Sequence, residues 1–299
     1  MIKVIFFGTS SYCLPVLSSL KKNFNLIAVV TKSRQNAVYE FSGKNNIKTY
    51  SPQNTVELLG LKSELKNFNP DLFIVADYGF IIPKEIFNLP KHKTINIHFS
   101  KLPLYRGPSP VQYSIINNDS NSWVSIIVMD ENIDTGDLIW QKEYGENPQY
   151  ETTTSLYIKL FKQVSKDIPS IIKEYAHGKL IPESQTKKGV SYSKRIGRND
   201  GYIPFDRLKE AVSSSKHALD IERKIRAFTP WPGVWTTITS NKRLKILNAH
   251  LDKENLVIDK VQLEGKNPVS WTQFLEGYPQ IKNQLNLSET SSSEAKSSL

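Results

Sequence analysis

With 299 residues, 39% of them hydrophobic, the chain is too long for one usual core and too apolar to be disordered, so two globular domains are expected. A formal net charge of +10 and a pI near 9.4 suggest a polyanionic partner, and the excess concentrates at 186–285, where 18 Lys and Arg face 10 Asp and Glu. The single cysteine, Cys13, excludes an internal disulfide and a thiolate metal cluster, and with no signal-like start and no run near the roughly 20 apolar residues of a membrane span, a cytoplasmic protein without a membrane partner is expected.

Strand and helix signals alternate through the first half. Ile2–Phe7 reads as a strand, Gly8-Thr9-Ser10 as a turn and Leu14–Leu20 as a helix, with further strands at Leu26–Val30, Leu72–Ala76 and Ile95–His98. Helices are expected at Gln112–Ile116 and at Ser155–Glu174, the latter interrupted at Pro169. Such alternation implies a largely parallel sheet covered by helices on both faces, with sites at the carboxyl ends of its strands. Those ends carry Gly8-Thr9-Ser10, Asp77-Tyr78-Gly79 and His98-Phe99-Ser100. The first has one glycine where a dinucleotide turn needs a second for close backbone approach, so NAD or FAD is not expected.

Residues 95–107, Ile-Asn-Ile-His-Phe-Ser-Lys-Leu-Pro-Leu-Tyr-Arg-Gly, carry the strongest chemical signal. Residues i and i+2 of a strand share a face, so Asn96 and His98 can address one substrate atom while Ile95 and Ile97 enter the core. An amide donor for a developing oxyanion beside a base for the attacking group's proton is what acyl transfer requires. An isolated N-x-H reads more often as a semi-buried core histidine beside a turn former; here the pair ends an apolar strand and enters a sharp turn at Pro103.

Val124–Met129 and Leu138–Lys142 read as strands flanking the polar loop Asp130–Asp137. Its Asp134 is a candidate to fix the tautomer of His98 and stabilise its cation, against the plainer reading of a turn aspartate before Gly136. Asp130, Asp134 and Asp137 do not follow a calcium-loop spacing, and no metal site is expected.

Residues 185–203 turn polar, basic and glycine-containing, which reads as an extended surface linker. Asp206–Phe228 then reads as one amphipathic helix with Leu208, Val212, Leu219, Ile225 and Phe228 on helical spacing, stopped by Thr229-Pro-Trp-Pro-Gly233. Short strands at Val234–Ile238, Arg243–Leu247, Leu256–Asp259 and Lys260–Leu263 suggest a small β-barrel over 204–283. Residues 284–299, with six serines, are expected to be disordered.

Phe7-Gly8-Thr9, Ala76-Asp-Tyr-Gly79, Asn96-Ile-His98 with Ser100-Lys-Leu-Pro103 and Arg106-Gly107, Asp134-Thr-Gly-Asp137, Arg226-Ala-Phe-Thr-Pro-Trp-Pro-Gly233 and Val261-Gln-Leu-Glu-Gly-Lys266 together resemble the methionyl-tRNA formyltransferase family, from residue 2 to about residue 280. The Asn/His/Asp set and the S-x-L-P turn belong to folate-dependent formyltransferases generally, whereas the Pro-Trp-Pro-Gly and Val-Gln-x-Glu-Gly-Lys segments favour the tRNA enzymes. The resemblance implies a Rossmann-like α/β formyltransferase domain at 1–184, a linker at 185–203 and an OB-like tRNA-binding barrel at 204–283 in a monomeric protein. It implies 10-formyltetrahydrofolate as donor, without a metal, and the α-amine of initiator methionyl-tRNA as acceptor.

By the same resemblance Asn96 binds the formyl oxygen, His98 assists proton movement, and Asp134 orients His98 and helps relay the proton. The folate is expected along Ser100, Lys101, Leu102 and Pro103, with its pterin against Tyr78, Gly79, Phe80, Ile81 and Ile82, a segment offering apolar walls and backbone hydrogen-bonding groups. Phe99 stands where the family usually has proline. The basic loop that the tRNA enzymes usually carry after the second strand is shortened here to Thr31–Asn36, with Lys32 and Arg34 its cations. That shortening favours a second reading, an N-formyltransferase for an amino-sugar nucleotide, which leaves the basic second domain unexplained. A third, a catalytically silent RNA-binding protein, leaves the Asn96, His98 and Asp134 set unexplained.

Overall fold

Strands with uninterrupted apolar runs form the centre of the larger sheet. In the computed structural model, which describes residues 1–238 and 241–285, seven strands run β1 Lys3–Phe7, β2 Asn25–Val30, β3 Lys48–Tyr50, β4 Leu72–Val75, β5 Thr94–His98, β6 Ser122–Val128 and β7 Leu138–Tyr144. Their spatial order is β3-β2-β1-β4-β5-β6-β7. All residues of β4 and all but the first of β1 are buried, the pattern of strands covered on both faces. Pairing is parallel from β3 across to β5 and antiparallel for β6 and β7. The mostly parallel, Rossmann-like sheet is therefore as expected, and it sets the carboxyl ends of β1, β4 and β5 side by side.

Two local readings change. The helix expected to break at Pro169 runs unbroken from Thr153 to Ala176. Proline lacks the N–H that would bond the carbonyl of Ser165 four residues earlier, and that carbonyl instead accepts from Ser19 Oγ at 2.7 Å, so the missing bond is replaced from outside the helix. Between β2 and β4 the chain also forms β3 and helices at Ala37–Lys44, Thr55–Gly60 and Lys62–Asn67, which sequence reasoning passed over because each is short.

By their contacts the described residues divide into two compact units, one of 1–114, 119–150 and 155–195, the other of 115–118, 151–154, 196–238 and 241–285. The strip 185–195 therefore packs within the first unit instead of lying out as a linker. In the second unit β8 Val234–Thr237, β9 Arg243–Asp252, β10 Asn255–Leu263 and β11 Val269–Ser270 form an antiparallel sheet in the order β11-β10-β9-β8. Among the described residues β8 and β11 remain edges, so the expected barrel is an open sheet. After the two residues of β11 the chain turns into helices Trp271–Gly277 and Pro279–Gln284, which bury Phe274 and Ile281, rather than adding a closing strand.

The single helix expected over 206–228 is two, Phe205–Ser214 and Ala218–Ala227, separated where Ser215 and His217 adopt left-handed backbone at φ +56° and +66°. Ser213 and Ser214 each donate their hydroxyl to the carbonyl four residues back, a competition with the helix ladder that weakens its end. Leu219, placed on the apolar stripe by periodicity, is consequently exposed. The expectation of disorder from 284 fails for its first residues: Gln284 closes a helix and Leu285 is fully buried, while 286–299 lie outside the described residues. Among the described residues no helix is long and apolar enough to cross a membrane.

Candidate active site

β5 lies between β4, where Val75 faces Asn96, and β6, where Ile127 faces Asn96 and Ser125 faces His98. Alternation along β5 sends Ile95 and Ile97 into the core and leaves Asn96 and His98 together on the other face. Asp134 arrives from the loop joining β6 to β7, which closes through Val128 N–H to Asp137 O at 2.9 Å and through the Thr135 hydroxyl on the Asp130 carboxylate. Its φ of +53° is left-handed, a conformation aspartate tolerates better than most residues.

Gly136 is required beside it. A Cβ at that position would lie 1.7 Å from the Val128 carbonyl oxygen, a backbone atom that cannot swing away. Gly136→Ala should therefore destabilise the fold by about 1–3 kcal/mol or more, the scale of overpacking a close-packed site. Denaturant unfolding measures it, with Gly145→Ala, whose Cβ would meet nothing within 4 Å, as the near-neutral control.

The Asp134 carboxylate is the hub. Its Oδ1 accepts from Asn96 Nδ2 at 3.1 Å, and its Oδ2 accepts from the Gly107 N–H at 2.7 Å and lies 3.4 Å from His98 Nδ1. His98 Nε2 is 2.9 Å from the Tyr105 carbonyl oxygen. A carbonyl can only accept, so Nε2 carries the proton it donates there, and the lone pair of a neutral ring is left on Nδ1 facing a carboxylate. The contact is attractive only when a proton lies between Nδ1 and Oδ2. His98 and Asp134 face one another nearly shut off from water, with side-chain exposures of 5% and 13%.

The backbone partners come from 103–107, and the strip 185–195 holds that segment in place. Tyr105 is left-handed at φ +55°, costly for a bulky residue, and is anchored by its N–H to Ser191 Oγ at 2.9 Å and its hydroxyl to Asp119 at 3.0 Å. Arg106 donates its N–H to Ser191 O at 2.9 Å and accepts from Ser193 N at 2.7 Å. Gly107, at φ +109°, passes so close that a Cβ would stand 2.4 Å from Ser193 O. Residues 191–193 of the supposed linker thus pair, through an isolated bridge at Tyr192, with the backbone around Arg106.

Asn96, His98 and Asp134 open into a cavity of about 770 Å³. Tyr78, Gly79, Phe80, Ile81 and Ile82 line it, tied to the β1 end by Thr9 Oγ1 donating to Tyr78 O at 2.8 Å. Burial pushes the Tyr78 phenol well up from its ordinary range, so it stays neutral. The turn Ser100, Lys101, Leu102 and Pro103 does not line this cavity, contrary to expectation. Its polar groups are already committed: Ser100 Oγ donates to Leu104 O, Ser100 O accepts from Ser125 Oγ, Leu102 O from Gln141, and Pro103 O from Ser191 N–H. Ser100 and Lys101 instead border a separate cavity of about 270 Å³, with Lys101 Nζ 4.1 Å from the Trp123 ring centre.

Other residues lining the large cavity escaped sequence reasoning. Lys32 sits with Nζ 4.0 Å from the Phe80 ring centre, and Asp77, Lys84, Met129–Ile133, Tyr157 and Arg195 also line the cavity. Tyr157 stacks on Tyr12 at 5.4 Å and meets the edge of Phe99, and burial together with the charge of Asp77 pushes its phenol up. The only sequence signal for Tyr157 was its apolar helix, and for Arg195 a basic strip that reads equally well as solvated.

A formyl transferase family model matches residues 2–172, and a formyl transferase C-terminal domain model matches 209–255. A methionyl-tRNA formyltransferase of Myxococcus xanthus is 30% identical over 308 residues, covering 92% of this chain and 95% of that protein. The chain belongs to the methionyl-tRNA formyltransferase family. In structure it resembles a methionyl-tRNA formyltransferase from Clostridium thermocellum (TM-score 0.63, 21% identity, 88% of this chain and 99% of that one). It also resembles an N-formyltransferase from Helicobacter canadensis solved with folinic acid and dTDP-3-aminofucose (TM-score 0.62, 23% identity, 84% and 88%). At these identities the two structures share the fold and do not choose an acceptor.

Two local features singled out in the sequence have plain structural accounts. Phe99 packs against Phe161 with ring centres 4.3 Å apart. The loop after β2 closes on itself, Asn36 Nδ2 donating to Thr31 Oγ1 at 2.8 Å while Asn36 Oδ1 caps the next helix at Tyr39 N–H.

Proposed function

We propose that this chain transfers the formyl group of 10-formyltetrahydrofolate to the α-amine of methionine carried by initiator tRNA. The observation that carries the chemistry is the Asp134 carboxylate bridging Asn96, His98 and Gly107 N–H at one end of the large cavity. The cavity suits a flat heterocycle, with an apolar wall at Tyr78–Ile82 and Met129 and a volume within the roughly 300–1,000 Å³ usual for such ligands.

When bound, the folate supplies an electrophilic formyl carbon. Asn96 spends one of its two amide hydrogens on Asp134 and directs the other toward the charge developing on the formyl oxygen. His98 and Asp134 take up the proton that the attacking amine must shed and return it to the departing folate nitrogen, so the exchange is balanced. Asp134 holds the imidazolium that this requires and keeps Asn96 facing the reaction.

The family membership favours the tRNA acceptor over an amino sugar, and so does the excess positive charge at 186–285, which a small substrate does not need. We assign that charge to binding tRNA phosphates. Incubation of the purified chain with the formyl donor and either methionyl-initiator-tRNA or a panel of dTDP-amino sugars should formylate the tRNA. Formylation of a sugar with none on tRNA would reverse the assignment.

Neutralising the exposed Lys187, Lys188, Lys194 and Arg198 together should flatten the dependence of log tRNA affinity on log salt by roughly 0.7–0.9 for each phosphate no longer neutralised by the protein. Arg195 is left in place because it lines the cavity. An unchanged slope would place the phosphate-binding cations elsewhere.

A further inference from the structure

We infer that Gln185 and Arg106 form a clamp that positions the Asp134 carboxylate, an inference that rests on the role proposed for Asp134. Gln185 Oε1 accepts from Arg106 Nε at 3.2 Å and Nη2 at 2.7 Å, and Gln185 Nε2 donates to Asp134 O at 2.9 Å and Gly136 O at 2.8 Å. The orientation of this amide is forced. A guanidinium only donates and a backbone carbonyl only accepts, so oxygen must face Arg106 and nitrogen must face the loop.

The contacts close a ring. Gln185 ties the main chain of Asp134 to the Arg106 side chain, and the next residue, Gly107, returns its N–H to Asp134 Oδ2 at 2.7 Å. Rotation of the carboxylate away from His98 would have to break either the Gly107 bond or the paired bonds to the loop carbonyls. Arg106 is a buried guanidinium, 9% exposed, whose fork is spent on a neutral amide rather than a carboxylate. That is an expensive arrangement for stability alone, since burying a cation is repaid best by an anion. It is an economical one for orientation, because the planar fork locks the amide that holds the loop.

The clamp explains why position 185 needs glutamine. A glutamate would still accept from Arg106 but would set an oxygen against two carbonyl oxygens, pushing the Asp134 loop away. Gln185 is a positioning residue, reaching the reaction only through Asp134.

The test is a double-mutant cycle on the full-length chain, following single-turnover formylation of methionyl-tRNA, kcat and the KM for the formyl donor. Gln185→Glu should lower kcat about 10- to 100-fold, the scale of a misplacement near 1 Å, with KM for the donor within about twofold. In an Asp134→Asn background the same substitution should cost less than about threefold more, because there is no carboxylate left to position. Arg106→Lys, which keeps the charge and loses the fork, should lower kcat by a smaller factor and serves if Gln185→Glu does not fold. Turnover of Gln185→Glu near wild type, or an equal loss with and without the Asp134 carboxylate, would overturn the clamp while leaving the role of Asp134 standing. Near wild-type turnover of Asp134→Asn alone would overturn that role and the clamp with it.

Discussion

Asp134→Asn and His98→Ala are each expected to lower formyl transfer at least about 100-fold, the usual scale for positioned acid–base groups. The asparagine is nearly isosteric, so the loss isolates charge and acceptor capacity. Two donors converge on the carboxylate, Asn96 on one oxygen and Gly107 on the other, with His98 Nδ1 3.4 Å from the second, and an amide presents one oxygen where the carboxylate presents two. Its NH2 would face a donor. His98→Ala instead removes the imidazole that receives the amine's proton and strips the Tyr105 carbonyl of its 2.9 Å donor. Affinity for the folate donor should be retained, because the apolar wall at Tyr78–Ile82 is untouched. Single-turnover rates with saturating donor measure both variants. Rates near wild type in both would mean that the reaction is carried elsewhere in the cavity.

Asn96→Ala is expected to lose about 2.7–4 kcal/mol of transition-state stabilisation, the cost of deleting one oxyanion donor in an acyl transfer. The loss should fall on kcat, since charge builds on the formyl oxygen only as the amine attacks. Asn96→Asp should be slower still at neutral pH. It would place a second carboxylate where Nδ2 now stands 3.1 Å from Asp134 Oδ1, and two carboxylates sharing a site resist joint ionisation. A variant that raises KM with kcat unchanged would make Asn96 a binding residue.

The parts of the site that local geometry governs were legible in the chain. Two residues apart on an apolar strand, Asn96 and His98 had to share a face, and the strand had to end in a turn at Pro103. Alternating strand and helix signals, beginning with Ile2–Phe7 and Leu14–Leu20, implied the mostly parallel sheet, and the burial of β1 after Lys3 and of all β4 agrees with strands covered on both sides. Asp134 was readable as a candidate because a histidine at work needs a carboxylate.

What stayed hidden depends on partners that carry no signal of their own. The Tyr105 carbonyl and the Gly107 N–H belong to the backbone, and every residue but proline has one of each, so no residue type announces them. Residues 185–195 looked like linker because polar composition cannot tell groups that face water from groups that satisfy another segment's backbone. Ser191, Ser193 and Gln185 do the latter.

Periodicity carried one helix across Ser213–His217, where side-chain competition for the ladder is strongest. It counted strands in the second unit but could not say whether the edges meet, because closure is a matter of pairing rather than pattern. By itself the sequence determined which residues could perform the chemistry and which strand would present them. Only the tertiary structure decided which acceptors His98 faces, which strip holds Tyr105–Gly107, and which cavity the set opens into, since those follow from unlike segments meeting to satisfy one another's hydrogen bonds.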